Sequence, residues 1–185
     1  IVVNENNATY KSIDGNLYSK DEKILIKYAI GKKANSFEIP ESVTSIGEFA
    51  FSHCENLIEI VIGYNVQEIG HQAFSHCKKL EEIFIPDGVK EISGQAFFDC
   101  ENLKEVAIGD NVVSIGESAF GDCINLAKIA VNENNAIYKS IDGNLYSKDE
   151  KTLIQYAIGK KANSFEIPES VTSIGKCAFS YCENL

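Results

Sequence analysis

The sequence predicts a repeat solenoid, mainly β, on three observations. A 23-residue period runs through the chain, a longer 36-residue unit sits on the same frame, and apolar residues return at the same places in every unit. Written from Ile39, four consecutive units read IPESVTSIGEFAFSHCENLIEIV, IGYNVQEIGHQAFSHCKKLEEIF, IPDGVKEISGQAFFDCENLKEVA and IGDNVVSIGESAFGDCINLAKIA. They begin at Ile39, Ile62, Ile85 and Ile108, and a partial fifth covers Ile167 to Leu185. Residues 3–57 and 131–185 coincide at 49 of 55 positions. The order is therefore a long unit (3–38), four short ones (39–61, 62–84, 85–107, 108–130), a long unit (131–166) and the partial unit (167–185). Units of this size cannot bury their own apolar side, and stacking buries it for them. We expect one solenoid over 1–185. Because the pattern starts and stops without polar caps and the chain has no methionine even at position 1, we expect it to be part of a longer array whose export signal lies elsewhere.

Each element follows from the unit. The run Leu80-Glu81-Glu82-Ile83-Phe84-Ile85 alternates, with Ile83 and Ile85 on one face and Glu82 and Phe84 on the other, which is the period of a strand. Pro40, Pro86 and Pro168 follow this strand, where a missing N–H costs no ladder bond. Val43 and Ile46 mark a second short extended stretch ended by Gly47. Ala50, Phe51 and Cys54 then fit a short helical or 3₁₀ turn leading to the next strand. In the long unit, Ser36 to Ile39 keeps the strand frame and should join the same parallel sheet, as should Ser164 to Glu166. Asn16–Ser19 and Ile24–Tyr28, split by the charged run Lys20 to Lys23, predict a β-hairpin bulging from the convex side or an edge.

The frame L-x-x-I-x-I-P-x-x-V-x-x-I-G-x-x-A-F-x-x-C-x-x-L closely resembles the BspA-like class of leucine-rich repeats, over the whole chain. The 36-residue unit, Tyr138 to Leu153 in its second copy, resembles the insert of that family. Departures are small: Gly63 and Gly109 replace the usual proline, and Ser93-Gly94 displaces the usual glycine. The resemblance implies a leucine-rich-repeat right-handed superhelix with its parallel sheet on the concave face. It further implies a secreted or surface-attached microbial protein, non-enzymatic, that binds host, matrix or other surface proteins.

Bulk properties narrow the partners. A formal net charge of −10 and a pI near 4.8 argue against nucleic acid, whose phosphates need a basic face. No run approaches the ~20 apolar residues of a membrane span, so direct insertion is not expected. We expect this piece to be monomeric.

Several residue patterns invite a chemical reading. Cys54, Cys77, Cys100, Cys123 and Cys182 all hold unit position 16 beside the Ala-Phe pair. Equivalent side chains in stacked units point in parallel, so Cβ atoms stay near the rung spacing rather than at the ~3.8 Å a disulfide prefers. A buried ladder of free thiols is favoured over disulfides or a metal centre. His53 and His76 occupy position 15, where other units carry Asp99, Asp122 and Tyr181. A place that accepts such different side chains reads as an exposed turn rather than a fixed ligand, and Ser52 beside it is expected to face outward too. Weak chelation by His53 and His76, with His71, is the metal alternative; zinc needs about four converging ligands. Cys177 falls at position 11, shared with Phe49, Gln72, Gln95 and Ser118, and should be the accessible thiol. Asp142-Gly143-Asn144 lacks the remaining ligands of a calcium loop and reads as a turn. Asn7-Ala8-Thr9 is a formal glycosylation triplet, but its twin at 135–137 is Asn-Ala-Ile, so we read it as accidental. No nucleophile elbow, P-loop or zincin motif occurs, and we expect no cofactor, no metal and no catalytic residue.

The functional expectation rests on the outward face of the main sheet. Position 23 supplies Glu38, Val61, Phe84, Ala107, Ala130 and Glu166 on successive rungs, an apolar stripe centred on Phe84. Position 21 supplies Ser36, Glu59, Glu82, Glu105, Lys128 and Ser164, a largely acidic stripe. Candidate partner-binding residues are therefore Val61, Phe84, Ala107, Ala130, Glu59, Glu82, Glu105 and Lys128. Two competing expectations stand beside it: a parallel sheet that tolerates apolar side chains on both faces without any partner, and a structural spacer that holds another domain of a longer surface protein.

Overall fold

The computed structural model describes residues 1–185 and contains sixteen strands and no helix. The first long unit carries β1 (Tyr10–Ile13), β2 (Asn16–Ser19), β3 (Ile24–Lys27) and β4 (Ser36–Glu38). The short units each carry two strands: β5 (Ser45–Ile46) and β6 (Glu59–Val61), β7 (Glu68–Ile69) and β8 (Glu82–Ile85). They continue with β9 (Glu91–Ile92) and β10 (Glu105–Ile108), then β11 (Ser114–Ile115) and β12 (Lys128–Val131). The second long unit carries β13 (Tyr138–Ile141), β14 (Asn144–Ser147) and β15 (Thr152–Gln155), and the partial unit carries β16 (Ser173–Ile174).

The longer strand of each unit stacks in parallel at the same unit position. Phe84 registers with Ala107 and Ala107 with Ala130, while Glu38 registers with Val61. Burial alternates along each strand: Ile60, Ile83, Val106 and Ile129 point into the core and their neighbours point out. The ladder has one break. β4 pairs with β6 and β8 with β10, but β6 and β8 are not paired. Ile39 N donates to Val61 O at 2.9 Å, whereas Ile62 makes no matching bond to Phe84.

The short strands form a second parallel ladder, and here the hairpin expectation needs correcting. β2 and β3 do pair antiparallel, but they do not bulge. β3 runs parallel to β5 with Leu25 opposite Ile46, and β1 adds a third antiparallel strand outside β2. The result is one seven-stranded sheet in the order β1-β2-β3-β5-β7-β9-β11. Leu25 is apolar where Ile46 is apolar, so the insert extends the core instead of leaving it. The second copy repeats the meander as β13-β14-β15-β16.

The expected rung at Ser164–Glu166 is absent from the sheet, and these residues are not strand. The edge of β12 that would receive them is already taken by the insert, since Ile129 N donates to Gly143 O at 2.8 Å. The stripes of positions 21 and 23 therefore end at Lys128 and Ala130.

A third ladder closes each turn. Isolated bonds of 3₁₀ type occur, such as Ala50 N to Gly47 O and Cys54 N to Phe51 O, but no helix grows from them. Unit positions 11 and 15 are left-handed in every short unit, with φ between 51° and 62° and no glycine among them. This reversal frees alternate N–H groups to point at the next unit. Phe49, Phe51 and His53 donate to His71 O, Ala73 O and Ser75 O at 3.0, 2.7 and 2.9 Å. Inside the turns, Phe51, Phe74, Phe97 and Phe120 stack at 5.0, 5.0 and 5.5 Å, and Tyr28 of the first insert continues the column at 5.3 Å from Phe51. Steady apolar positions such as Ile39, Val43, Ile46, Ala50 and Leu57 are buried, as the repeat predicts.

Candidate protein-binding face

The break between β6 and β8 places a depression of about 460 Å³ on the outward face of the main sheet. Six of the eight predicted residues line it: Val61, Phe84, Ala107, Glu59, Glu82 and Glu105. Val61 is 45% exposed and Phe84 52%, both large for apolar side chains on a packed rung. Ala130 and Lys128 lie outside the depression, but Lys128 reaches back to it, with Nζ 2.6 Å from Glu105 Oε1. Beyond the buried Ile60, Ile62 and Ile83 at its floor, two exposed lining residues were missed. Ile58, 41% exposed, and Glu81 belong to unit position 20. The signal for Ile58 was present: an isoleucine stands where the next two units carry Glu81 and Lys104. The rigid ladder fixes the Cα positions of these side chains, so the face is preorganised.

The cysteine ladder is interior. Cys54, Cys77, Cys100 and Cys123 are buried and free. Each thiol after the first donates to the carbonyl of the phenylalanine three places earlier in the preceding unit: Cys77 to Phe51 O, Cys100 to Phe74 O and Cys123 to Phe97 O, at 3.1–3.2 Å. Burial pushes the Cys54 thiol up to about 12 and raises Cys77 and Cys100 well above the ordinary thiol value. Such thiols hold their protons and are poor nucleophiles. Cys177 is exposed and Cys182 half-buried.

The histidines stack rather than converge. The rings of His53 and His76 lie parallel at 4.4 Å, His76 Nδ1 meets Asp99 Oδ2 at 2.6 Å, and His71 packs edge-on against Phe49. No three His, Cys, Asp or Glu side chains come together as a metal would require. Position 15 is a turn, as read, but Ser52 is not exposed. It and Ser75 are buried and share a hydrogen bond at 2.9 Å, because the left-handed residue after each turns the serine inward. Asp142 and Gly143 both have positive φ, and they join β13 to β14 as a tight hairpin turn.

A family model describing the BspA-type leucine-rich-repeat region matches residues 28–151 and 156–185, in six copies. The chain belongs to the BspA-type leucine-rich-repeat family. No curated protein matches it. Among solved structures, the pneumococcal vaccine antigen PcpA superposes with a TM-score of 0.70 at 25% identity, over 94% of this chain and 44% of PcpA. A leucine-rich-repeat protein of Bacteroides ovatus gives 0.65 at 28% identity, over 94% of this chain and 47% of the other. One from Eubacterium ventriosum gives 0.71 at 22%, over 97% and 57%. This BspA-type region thus spans about half the length of these relatives. Leucine-rich repeats of this kind generally serve protein–protein interaction.

Proposed function

We propose that this repeat region is a non-enzymatic binding module of a secreted or surface-attached protein, and that it holds a protein partner on the outward face of β6, β8 and β10. One observation carries the reading: the apolar row foreseen from the repeat, Val61 and Phe84, is exposed and lines the depression where the sheet opens. Covering both side chains would contribute about 3–4 kcal/mol at roughly 25 cal/mol per Å², enough to make them the anchors of an interface. The likeness to a pneumococcal vaccine antigen supports a location that antibodies can reach.

The mechanism is rigid display. Stacked rungs fix two rows of side chains, and a partner is recognised across several of them without ordering cost on this side. The test is capture of purified extracellular-matrix and surface proteins by the wild-type chain and by Val61→Asp and Phe84→Asp. Loss of at least tenfold in affinity with an unchanged melting temperature is the expected result. Capture that survives both substitutions would overturn the reading, and no capture by wild type would favour a spacer.

A further inference from the structure

Charges on this face are distributed unequally. Glu81 is held by Lys104 at 2.7 Å and Glu105 by Lys128 at 2.6 Å, so the β10–β12 side is neutralised. On the β4–β6–β8 side, Glu38, Glu59 and Glu82 are exposed and have no cationic partner. The bare carboxylates thus flank the very rungs that expose Val61 and Phe84.

The spacing also constrains the ligand. Glu59 and Val61, like Glu82 and Phe84, are two residues apart on one strand, and both point outward. That separation, about 6.6 Å, is also the distance between residues i and i+2 on one face of any extended chain. Resting on the reading that this face binds protein, we propose that its ligand is an extended segment in which a lysine or arginine stands two residues from an apolar side chain. The apolar residue seats on Phe84 and Val61, and the cation pairs with Glu82 or Glu59. Arginine suits the site better than lysine, because its fork can meet a carboxylate through two bonds. Acidic segments are repelled by the same carboxylates, which supplies discrimination as well as affinity.

The test uses three synthetic eight-residue peptides, alternating Lys-Val, Glu-Val and Lys-Ser, titrated into the isotopically labelled chain and followed by NMR. The Lys-Val peptide should shift the amide signals of Val61, Phe84 and Ala107, and its affinity should fall about tenfold between 50 and 300 mM salt. Glu-Val and Lys-Ser should bind at least tenfold more weakly. The double variant Glu59→Lys/Glu82→Lys should lose the Lys-Val peptide and take up Glu-Val. Equal binding of Lys-Val and Glu-Val, shifts elsewhere on the chain, or no binding at all would overturn the inference. The wider reading fails separately, if capture of protein partners survives both Val61→Asp and Phe84→Asp or if the wild-type chain captures none.

Discussion

Cysteine stands at position 16 because the site needs a small apolar group that can still donate one hydrogen bond. Cys100 fills its buried volume and donates a hydrogen bond to Phe74 O. Thiol-specific labelling of the native chain at pH 8 should modify Cys177 first and Cys182 slowly, with the four ladder cysteines reacting only on unfolding; early labelling of Cys100 would contradict this. The same burial sets a pH dependence. An unfolded cysteine loses its proton near pH 8.5–9, while folded Cys54 keeps it to about 12. The unfolded state therefore binds fewer protons in that window, and stability present below pH 9 is lost as pH rises towards 12. The melting temperature should fall over this range, and less steeply for Cys54→Ala.

Position 15 carries a different constraint: the backbone, not the side chain, is selected. His53 has φ of 62° and donates its N–H to Ser75 O. A β-branched residue tolerates this conformation poorly, and none occurs at position 11 or 15 of any short unit. His53→Val should cost about 1–3 kcal/mol in urea unfolding and His53→Asn almost nothing. Equal costs would mean that the imidazole, not the turn, is what matters.

At the scale of elements, the two long units act as an internal control because their sequences nearly coincide. Asn135 is buried, donates to Gly109 O and Val112 O at 3.0 Å each, and accepts from Ile137 N and Tyr138 N. The side chain of Asn7, its twin, only accepts, from Thr9 N and Tyr10 N. Tyr138 Oη likewise accepts from Ile115 N at 3.0 Å, closing the end of the second ladder, while Tyr10 is 44% exposed. Tyr138→Phe should cost about 1 kcal/mol by leaving a part-buried N–H unpaired, and Tyr10→Phe should be neutral. Matching costs at the two sites would show that the insert does not seal the ladder. The phenylalanine column is a second element-scale device, and Phe97→Ala in its interior should cost about 3–5 kcal/mol in the same measurement.

At the scale of the molecule, the residues that pack the core and those proposed to bind a partner occupy separate faces of the same strands. Ile83 and Ile85 hold β8 to the core while Glu82 and Phe84 stay available. Variants of the outward rows should therefore change binding without changing stability, which is what makes the capture experiment decisive.

Within one chain, the repeat made the inward residues legible. A position that is apolar in every unit, such as Phe51 and its equivalents, has to fill the same volume on every rung. Alternation along each strand then placed Val61, Phe84, Glu59 and Glu82 outward, and that placement needed no coordinates. Three features were decided by tertiary structure alone. Ser52 turns inward because of a left-handed neighbour, which a variable histidine does not announce. Ser164–Glu166 lost its place because Gly143 reached β12 first, a competition between segments that local pattern cannot rank. The depression lies where β6 and β8 part, and the shared in-out alternation of those two strands holds no record of it. Periodicity determines which side of a strand faces water; the contest for strand edges determines where the sheet opens and ends.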